Sequence, residues 1–125
     1  MNAIIFEAVL DLETGNSESI RKVMTERYED RKRKGHFDAP SVGSVFKNDR
    51  SFGAPTGKIL DDLGVRGFTI GGAGIAEYHA NIIINRGDAT ASDILSVIEY
   101  AENTALERRG VRLEREVLLV GEWQR

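Results

Sequence analysis

The chain has 125 residues, 41% of them apolar, which suffices to bury one core of ordinary size and makes a single domain the expectation. Twenty acidic against seventeen basic residues leave a net charge of -3, which lacks the basic footprint of a nucleic-acid binder, although one diphosphate could still be held locally. The absence of cysteine excludes disulfides and thiolate metal sites, and apolar runs far short of about 20 residues, with no basic leader or cleavage site, make a cytoplasmic protein without membrane partners the expectation.

The stretch 3–12, Ala-Ile-Ile-Phe-Glu-Ala-Val-Leu-Asp-Leu, is rich in β-branched and apolar residues and reads as a strand. Phe6, Ala8, Leu10 and Leu12 fall on one side and Ile5 and Val9 on the other, so it wants cover on both faces. Gly15-Asn16-Ser17 then supplies a turn and a helix cap. Ile20, Val23, Met24 and Tyr28 recur at spacings of three and four, which predicts a helix from about Ser17 to Lys34 with one apolar stripe. The basic run Arg31-Lys32-Arg33-Lys34 sits in its last turn, where cations meet the negative end of the helix dipole, and Gly35 follows as a stop. Those four residues read as a solvated helix end in preference to a nuclear-localisation or nucleic-acid patch.

From His36 to Phe52 the chain is loop-like, punctuated by Pro40, Gly43, Asn48-Asp49-Arg50-Ser51 and Gly53. A short helix is expected from about Thr56 to Leu63, with Ile59, Leu60 and Leu63 inward. Val65 to Ile70 and Ala80 to Ile84 read as strands, the second nearly continuous in apolar residues and therefore buried. Thr90 and Asp93 approximate a capping box, opening a helix whose buried face is Ile94, Leu95, Val97, Ile98, Ala101, Ala105 and Leu106, with Gly110 as C-cap. A last strand over about Arg115 to Val120 completes an α+β pattern. The expected architecture is a single compact domain with a small mixed sheet packed against two longer helices and one short helix.

Several tempting motifs fail on detail. Gly53-Ala54-Pro55-Thr56-Gly57-Lys58-Ile59 resembles a phosphate loop, but only three residues separate its glycines where four are needed, and Ile59 stands where a Ser or Thr would bind magnesium. Gly72-Ala73-Gly74 begins like a dinucleotide fingerprint, yet Glu77 occupies the place of the third glycine. His36 and His79 are the only histidines and neither has a second ligand at helical spacing, so no metal site is expected. Ser44 lacks the Gly-x-Ser-x-Gly frame of a hydrolase elbow because Phe46 holds the closing position. From the residues alone Ser44 is either an ordinary loop serine or a proton donor of another kind, and the spacing does not bring it together with His79 or Glu116.

Five segments in order carry a resemblance. They are Pro40-Ser41-Val42-Gly43-Ser44-Val45-Phe46-Lys47-Asn48, Gly57-Lys58-Ile59-Leu60-Asp61, Ile70-Gly71-Gly72-Ala73, Glu77-Tyr78-His79-Ala80-Asn81 and Leu113-Glu114-Arg115-Glu116-Val117. Together they resemble the carboxy-terminal, substrate-binding part of the UDP-N-acetylenolpyruvoylglucosamine reductases, flavoenzymes of bacterial cell-wall synthesis. The resemblance implies reduction of UDP-N-acetylglucosamine enolpyruvate to UDP-N-acetylmuramate by the complete enzyme with FAD and NADPH. It implies a general-acid role for Ser44 and a role for Glu116 in stabilising charge on the substrate carboxylate, with Lys47, Asn48 and His79 as substrate-binding candidates. It also implies that residues 1–13 belong with a missing flavin-binding part, that 14–125 form the substrate-binding domain, and that a flavin domain must be supplied in cis or in trans. No cofactor is expected on this chain alone.

Two departures stand out: Asp49 follows Lys47-Asn48 where the family has proline, and Leu118 stands in place of a basic residue, for which Arg115 or Arg50 is the available replacement. A different class of function, a stand-alone sugar-nucleotide binding or interaction module without redox activity, stays open beside the reductase reading.

Overall fold

The computed structural model of the chain describes residues 6–122. In chain order its elements are α1 (Ser17–Arg33), β1 (Ser41–Ser44), a 3-10 turn (Arg50–Phe52), α2 (Thr56–Asp62), β2 (Thr69–Ile70), β3 (Ala73–Ile75), β4 (Ile82–Asn85) and α3 (Ala91–Arg109). The strands form one sheet in the order β1-β4-β3-β2, with antiparallel pairing throughout. The α+β class is as expected, but the sheet is antiparallel where a mixed one was anticipated. Short turns join β2 to β3 and β3 to β4, whereas parallel neighbours need a crossover of about a dozen residues.

α3 lies across β2, β3 and β4. Its start is the predicted capping box: the Thr90 hydroxyl accepts from the Asp93 N–H at 3.1 Å and the Asp93 carboxylate accepts from the Thr90 N–H at 2.9 Å. Gly110 ends it in the left-handed conformation. Val97, Ile98, Ala101 and Ala105 face inward and join Val45, Phe46, Leu60, Val65, Ala73, Ile75, Ala80, Ile83 and Leu113 in the core. Ile94 packs beside this core half-buried, while Leu106 is 42% exposed and stands outside it. α2 forms where expected and buries Ile59 and Leu60. Among the described residues no helix is long and apolar enough to cross a membrane.

Four expectations are corrected. Of the strand placed over 3–12, residues 3–5 lie outside the described part, and Phe6 to Leu12 forms no strand and stands open to solvent, Phe6 at 93% exposure. A strand is only a strand with a neighbour to pair with, and no described segment lies alongside it. Helix α1 forms as predicted, with the Asn16 side chain accepting from the Ser19 N–H at 2.9 Å, yet it buries no residue and its stripe faces outward, Met24 at 67% exposure. The strand expected from Val65 is reduced to Thr69–Ile70, because Gly67 turns the backbone at φ +71°. The final strand contracts to a single bridge between Phe46 and Arg115, since the N–H groups of Glu116 and Val117 both point at the Val45 carbonyl and the ladder stops there.

One buried polar side chain ties the pieces together. Asn81 is 3% exposed; its carbonyl oxygen accepts from the Phe46 N–H at 2.9 Å and its amide donates to the Phe46 carbonyl at 2.8 Å. The amide side chain thus acts as a substitute strand, satisfying both backbone groups of a buried residue. Replacing Asn81 by Ala leaves those two groups without partners and is expected to cost about 2–4 kcal/mol in urea unfolding. Gly43→Ala should cost about 1–2 kcal/mol by the same measurement: a β-carbon there meets nothing within 4 Å, so the penalty is that of the left-handed backbone at φ +73° alone.

Candidate functional site

The site grows from an irregularity in β1. Ser41 pairs with Ile84 and Ser44 with Ile82, so the register slips by one residue between them, and Gly43 lies at the slip with positive φ. This is the signature of a glycine β-bulge, which bends the strand and re-aims the side chain that follows. That side chain is Ser44, and it is exposed. Immediately after it the chain is clamped. Val45 donates to the Asn81 carbonyl at 2.9 Å, Phe46 is held by the Asn81 side chain, and the fully buried Thr56 hydroxyl donates to the Lys47 carbonyl at 2.7 Å. The Asn48 side chain in turn accepts from the Thr56 N–H at 2.9 Å, capping the start of α2. Ser44 is therefore an exposed hydroxyl next to a tightly hydrogen-bonded backbone.

Ser44 and His79 line one cavity of about 390 Å³, together with Ser41, Tyr78 and, from the last turns of α1 and the residues after it, Asp30, Arg31, Lys34 and His36. The His79 ring packs over Gly57, where a β-carbon would come within 2.6 Å of the ring, so this glycine makes room for the imidazole. Its Nδ1 accepts from the Asn81 N–H at 3.1 Å, which places the proton of the neutral ring on Nε2. His36 and Tyr78 rings meet at 4.7 Å and close one wall. Burial holds the Tyr78 hydroxyl above its ordinary pKa, with the nearby Asp38 charge acting the same way, so it stays a neutral donor.

Lys47 and Asn48 face a neighbouring cavity of about 430 Å³ shared with Arg50, Phe52, Arg112 and Glu114. The Lys47 ammonium hydrogen-bonds the Glu114 carboxylate, which raises its pKa, and the Glu116 charge adds to the effect from further away. Glu116 is exposed, and its N–H donates to the Val45 carbonyl at 2.8 Å, so it is anchored opposite the residue after Ser44. The fold thus brings Ser44 and His79 to one cavity, Lys47 and Asn48 to the next, and Glu116 to the strand edge beside them. The three sequence segments, about 35 residues apart each, meet because Asn81 and the Phe46–Arg115 bridge hold them edge to edge.

Of the two arginines that stood as replacements at Leu118, Arg115 is committed: its guanidinium donates twice to Glu102 of α3, both bonds at 2.6 Å. Arg50 lies on the Lys47 side, whereas Leu118 lines an apolar groove with Val42, Ile94 and Leu95. Neither therefore replaces a cation at 118. The failed motifs also find physical reasons. Gly57 serves His79, Lys58 pairs with Asp62 along α2, and a β-carbon on Gly72 would collide with the Asp88–Ala89 backbone, at 2.3 Å from the Ala89 nitrogen. Arg31 and Lys34, read from sequence as a solvated helix end, prove to rim the Ser44 cavity, although Lys34 also pairs with Asp30 at 2.7 Å. Among the described residues no group of three His, Asp or Glu side chains is placed to hold a metal ion.

Comparison with known proteins identifies the family. The family described as UDP-N-acetylenolpyruvoylglucosamine reductase, C-terminal domain, matches residues 35–120. The UDP-N-acetylenolpyruvoylglucosamine reductase of Treponema denticola is 46% identical over 120 residues, covering 96% of this chain and 37% of that protein. That of Caldanaerobacter subterraneus subsp. tengcongensis is 44% identical over 119 residues, 95% of this chain and 39% of that protein. The crystal structure of the Thermus caldophilus reductase superposes with a TM-score of 0.62 at 31% identity, covering 85% of this chain and 36% of that one. The chain spans less than two fifths of the length of these relatives, and within them it corresponds to one part: it belongs to the family of UDP-N-acetylenolpyruvoylglucosamine reductases, of which it carries the C-terminal domain.

Proposed function

We propose that this chain is the substrate-side half of a UDP-N-acetylmuramate dehydrogenase, acting in the cytoplasm on UDP-N-acetylglucosamine enolpyruvate for peptidoglycan precursor synthesis, and inactive without the remainder of the enzyme. The observation that carries the reading is Ser44, an exposed hydroxyl raised on a glycine bulge at a cavity rimmed by His79, Arg31 and Lys34, in a chain of this family. The complete enzyme uses FAD with NADPH. The glycine-rich turns of this chain do not fit a dinucleotide, since the space beside Gly71 and Gly72 is filled by Asp93 and by the Asp88–Ala89 backbone. In this reading the flavin is held by the remainder of the enzyme.

What this chain supplies is a proton and a place. Reduction of the enolpyruvyl double bond adds hydride at the methylene carbon and a proton at the carbon bearing the carboxylate. Ser44 is the donor of that proton. An alcohol is a weak acid, so it serves only when held close to its target, and the clamped backbone on its C-terminal side provides that constancy. Glu116 stabilises the enol form of the substrate carboxyl and helps return a proton to Ser44. The Nε2–H of His79, the free amide of Asn48 and the ammonium of Lys47 are donors suited to a sugar nucleotide, and Arg31 and Lys34 suit its diphosphate.

In an enzyme reconstituted from this chain and the remainder of a reductase, Ser44→Ala should lower kcat for substrate reduction by a factor of about 100 to 10,000, or roughly 3–5 kcal/mol, with KM changed far less. Reduction of the flavin by NADPH should be untouched. Unchanged turnover would show that the serine is structural. Glu116→Gln should likewise lower kcat more than it raises KM, read in the same steady-state assay. Substrate binding by calorimetry without any restored NADPH oxidation would point instead to a binding module.

A further inference from the structure

We infer that the ion pair of Arg115 with Glu102 is a positioning pair for the proposed reaction: it pins the closing segment to α3, so that the face opposite Arg115, carrying Glu114 and Glu116, is held toward Lys47 and the strand that bears Ser44. The inference rests on the reductase reading above. It also gives Arg115, which does not replace a cation at 118, a task of its own.

The closing segment alternates. Leu113 is buried, Arg115 and Val117 are half-buried, and Glu114, Glu116 and Leu118 are exposed, which is the period of two of an extended chain. Whatever fixes Arg115 on the inner side therefore fixes the two carboxylates on the outer one. Main-chain pairing is thin here: the Lys47 N–H donates to the Glu114 carbonyl at 2.9 Å and the Glu116 N–H to the Val45 carbonyl at 2.8 Å, and Phe46–Arg115 is a single bridge. Side chains supply the rest. The Arg115 guanidinium takes both oxygens of Glu102, Nε on Oε1 and Nη2 on Oε2, a planar fork that sets orientation as well as distance.

With its two side chains 27% and 24% exposed, this is the least exposed ion pair among the described residues, so water and salt compete with it least. Its hydrogen bond to Glu102 raises the Arg115 pKa against the cost of burial, and the charge of Glu99, one turn earlier on α3, adds to the hold. The helix is a steady reference, because Ala101 and Ala105 beside Glu102 are packed in the core. The consequence falls on Lys47. Its ammonium hydrogen-bonds Glu114 and also feels the charge of Glu116, two carboxylates on one face of the segment. A segment free to roll would let the ammonium pass from Glu114 to Glu116 and neutralise the carboxylate that the reaction uses. Held by the fork, Glu114 keeps Lys47, and Glu116 is left to the substrate.

The test uses the full chain, alone and reconstituted with the remainder of the Treponema denticola reductase. Arg115→Lys, which keeps the charge and loses the fork, should lower kcat about ten-fold with KM changed by less than about three-fold. In a Glu116→Gln background the same substitution should bring no further loss, because it acts through Glu116. In the chain alone, amide exchange at the Glu116 N–H should quicken about ten-fold, read by NMR well below the unfolding midpoint. Glu102→Gln, which keeps the shape of the acceptor and removes its charge, carries the same three expectations if Arg115→Lys does not fold. An unchanged kcat, an equal further loss in the Glu116→Gln background, or unchanged exchange at Glu116 overturns the inference and leaves the fork a stabilising contact only. If Glu116→Gln by itself leaves turnover unchanged, the proposed function fails and the inference with it; an effect of Glu116→Gln without one of Arg115→Lys sinks the inference alone.

Discussion

The side chain of Asn81 does for Phe46 what a neighbouring strand would do, and the rest of the site depends on it. Phe46 is a core residue, 2% exposed, in a stretch where the strand ladder has already been broken by the bulge at Gly43. Its N–H and carbonyl would be buried without partners if Asn81 did not take both. With them satisfied, the chain can bulge just before this point, present Ser44 to solvent, and still anchor a large aromatic in the core. The same asparagine receives Val45 on its backbone carbonyl and gives its own N–H to His79, so the two sides of the Ser44 cavity are set by one residue.

The chain behind the serine is held by hydrogen bonds, while the surface in front of it is open. Thr56 and Asn48 lock the Lys47–Asn48 tail to the start of α2, and Arg115 is locked to α3 through Glu102. The surfaces left unsatisfied are of two kinds. Polar groups and charges of both signs surround the cavities, Arg31, Lys34 and Asp30 beside Ser44, and Arg50, Arg112, Asp49 and Glu114 beside Lys47, and apolar side chains line α1 and the segment before it. A polar cavity suits a charged ligand, and an apolar helix face suits a protein surface. The last turns of α1 reach only the first of these cavities, through Arg31 and Lys34.

Much of this was legible in the residues, and the exceptions have physical reasons. The capping box at Thr90, the glycine stop at Gly110 and the boundaries of α1 follow from local chemistry, which short segments carry within themselves. The resemblance carried by the five segments identified the family correctly. What failed depended on partners distant in sequence. The strand over 3–12 and the buried face of α1 were inferred from apolar pattern, but a pattern states only that cover is wanted and not who provides it. Asn81 sits in the run Ala80-Asn81-Ile82-Ile83-Ile84, whose strand pattern hides its role, although one uncharged amide among buried aliphatics signals a side chain that must find two partners. Arg31 and Lys34 were read as a helix end because their nearness to Ser44 is created by the turn at Gly35 and cannot be counted along the chain.

The central claim is that Asn81 and the Gly43 bulge present Ser44, Asn48 and His79 to one anionic sugar nucleotide. Amide-resolved NMR of the full chain during titration with UDP-N-acetylglucosamine enolpyruvate tests it most directly. Shifts concentrated at Ser44, Asn48, His79 and the last turn of α1, with α3 unmoved, are the expected result. Shifts gathered elsewhere, such as at the apolar groove of Val42 and Leu118, or none at saturating ligand, would contradict it.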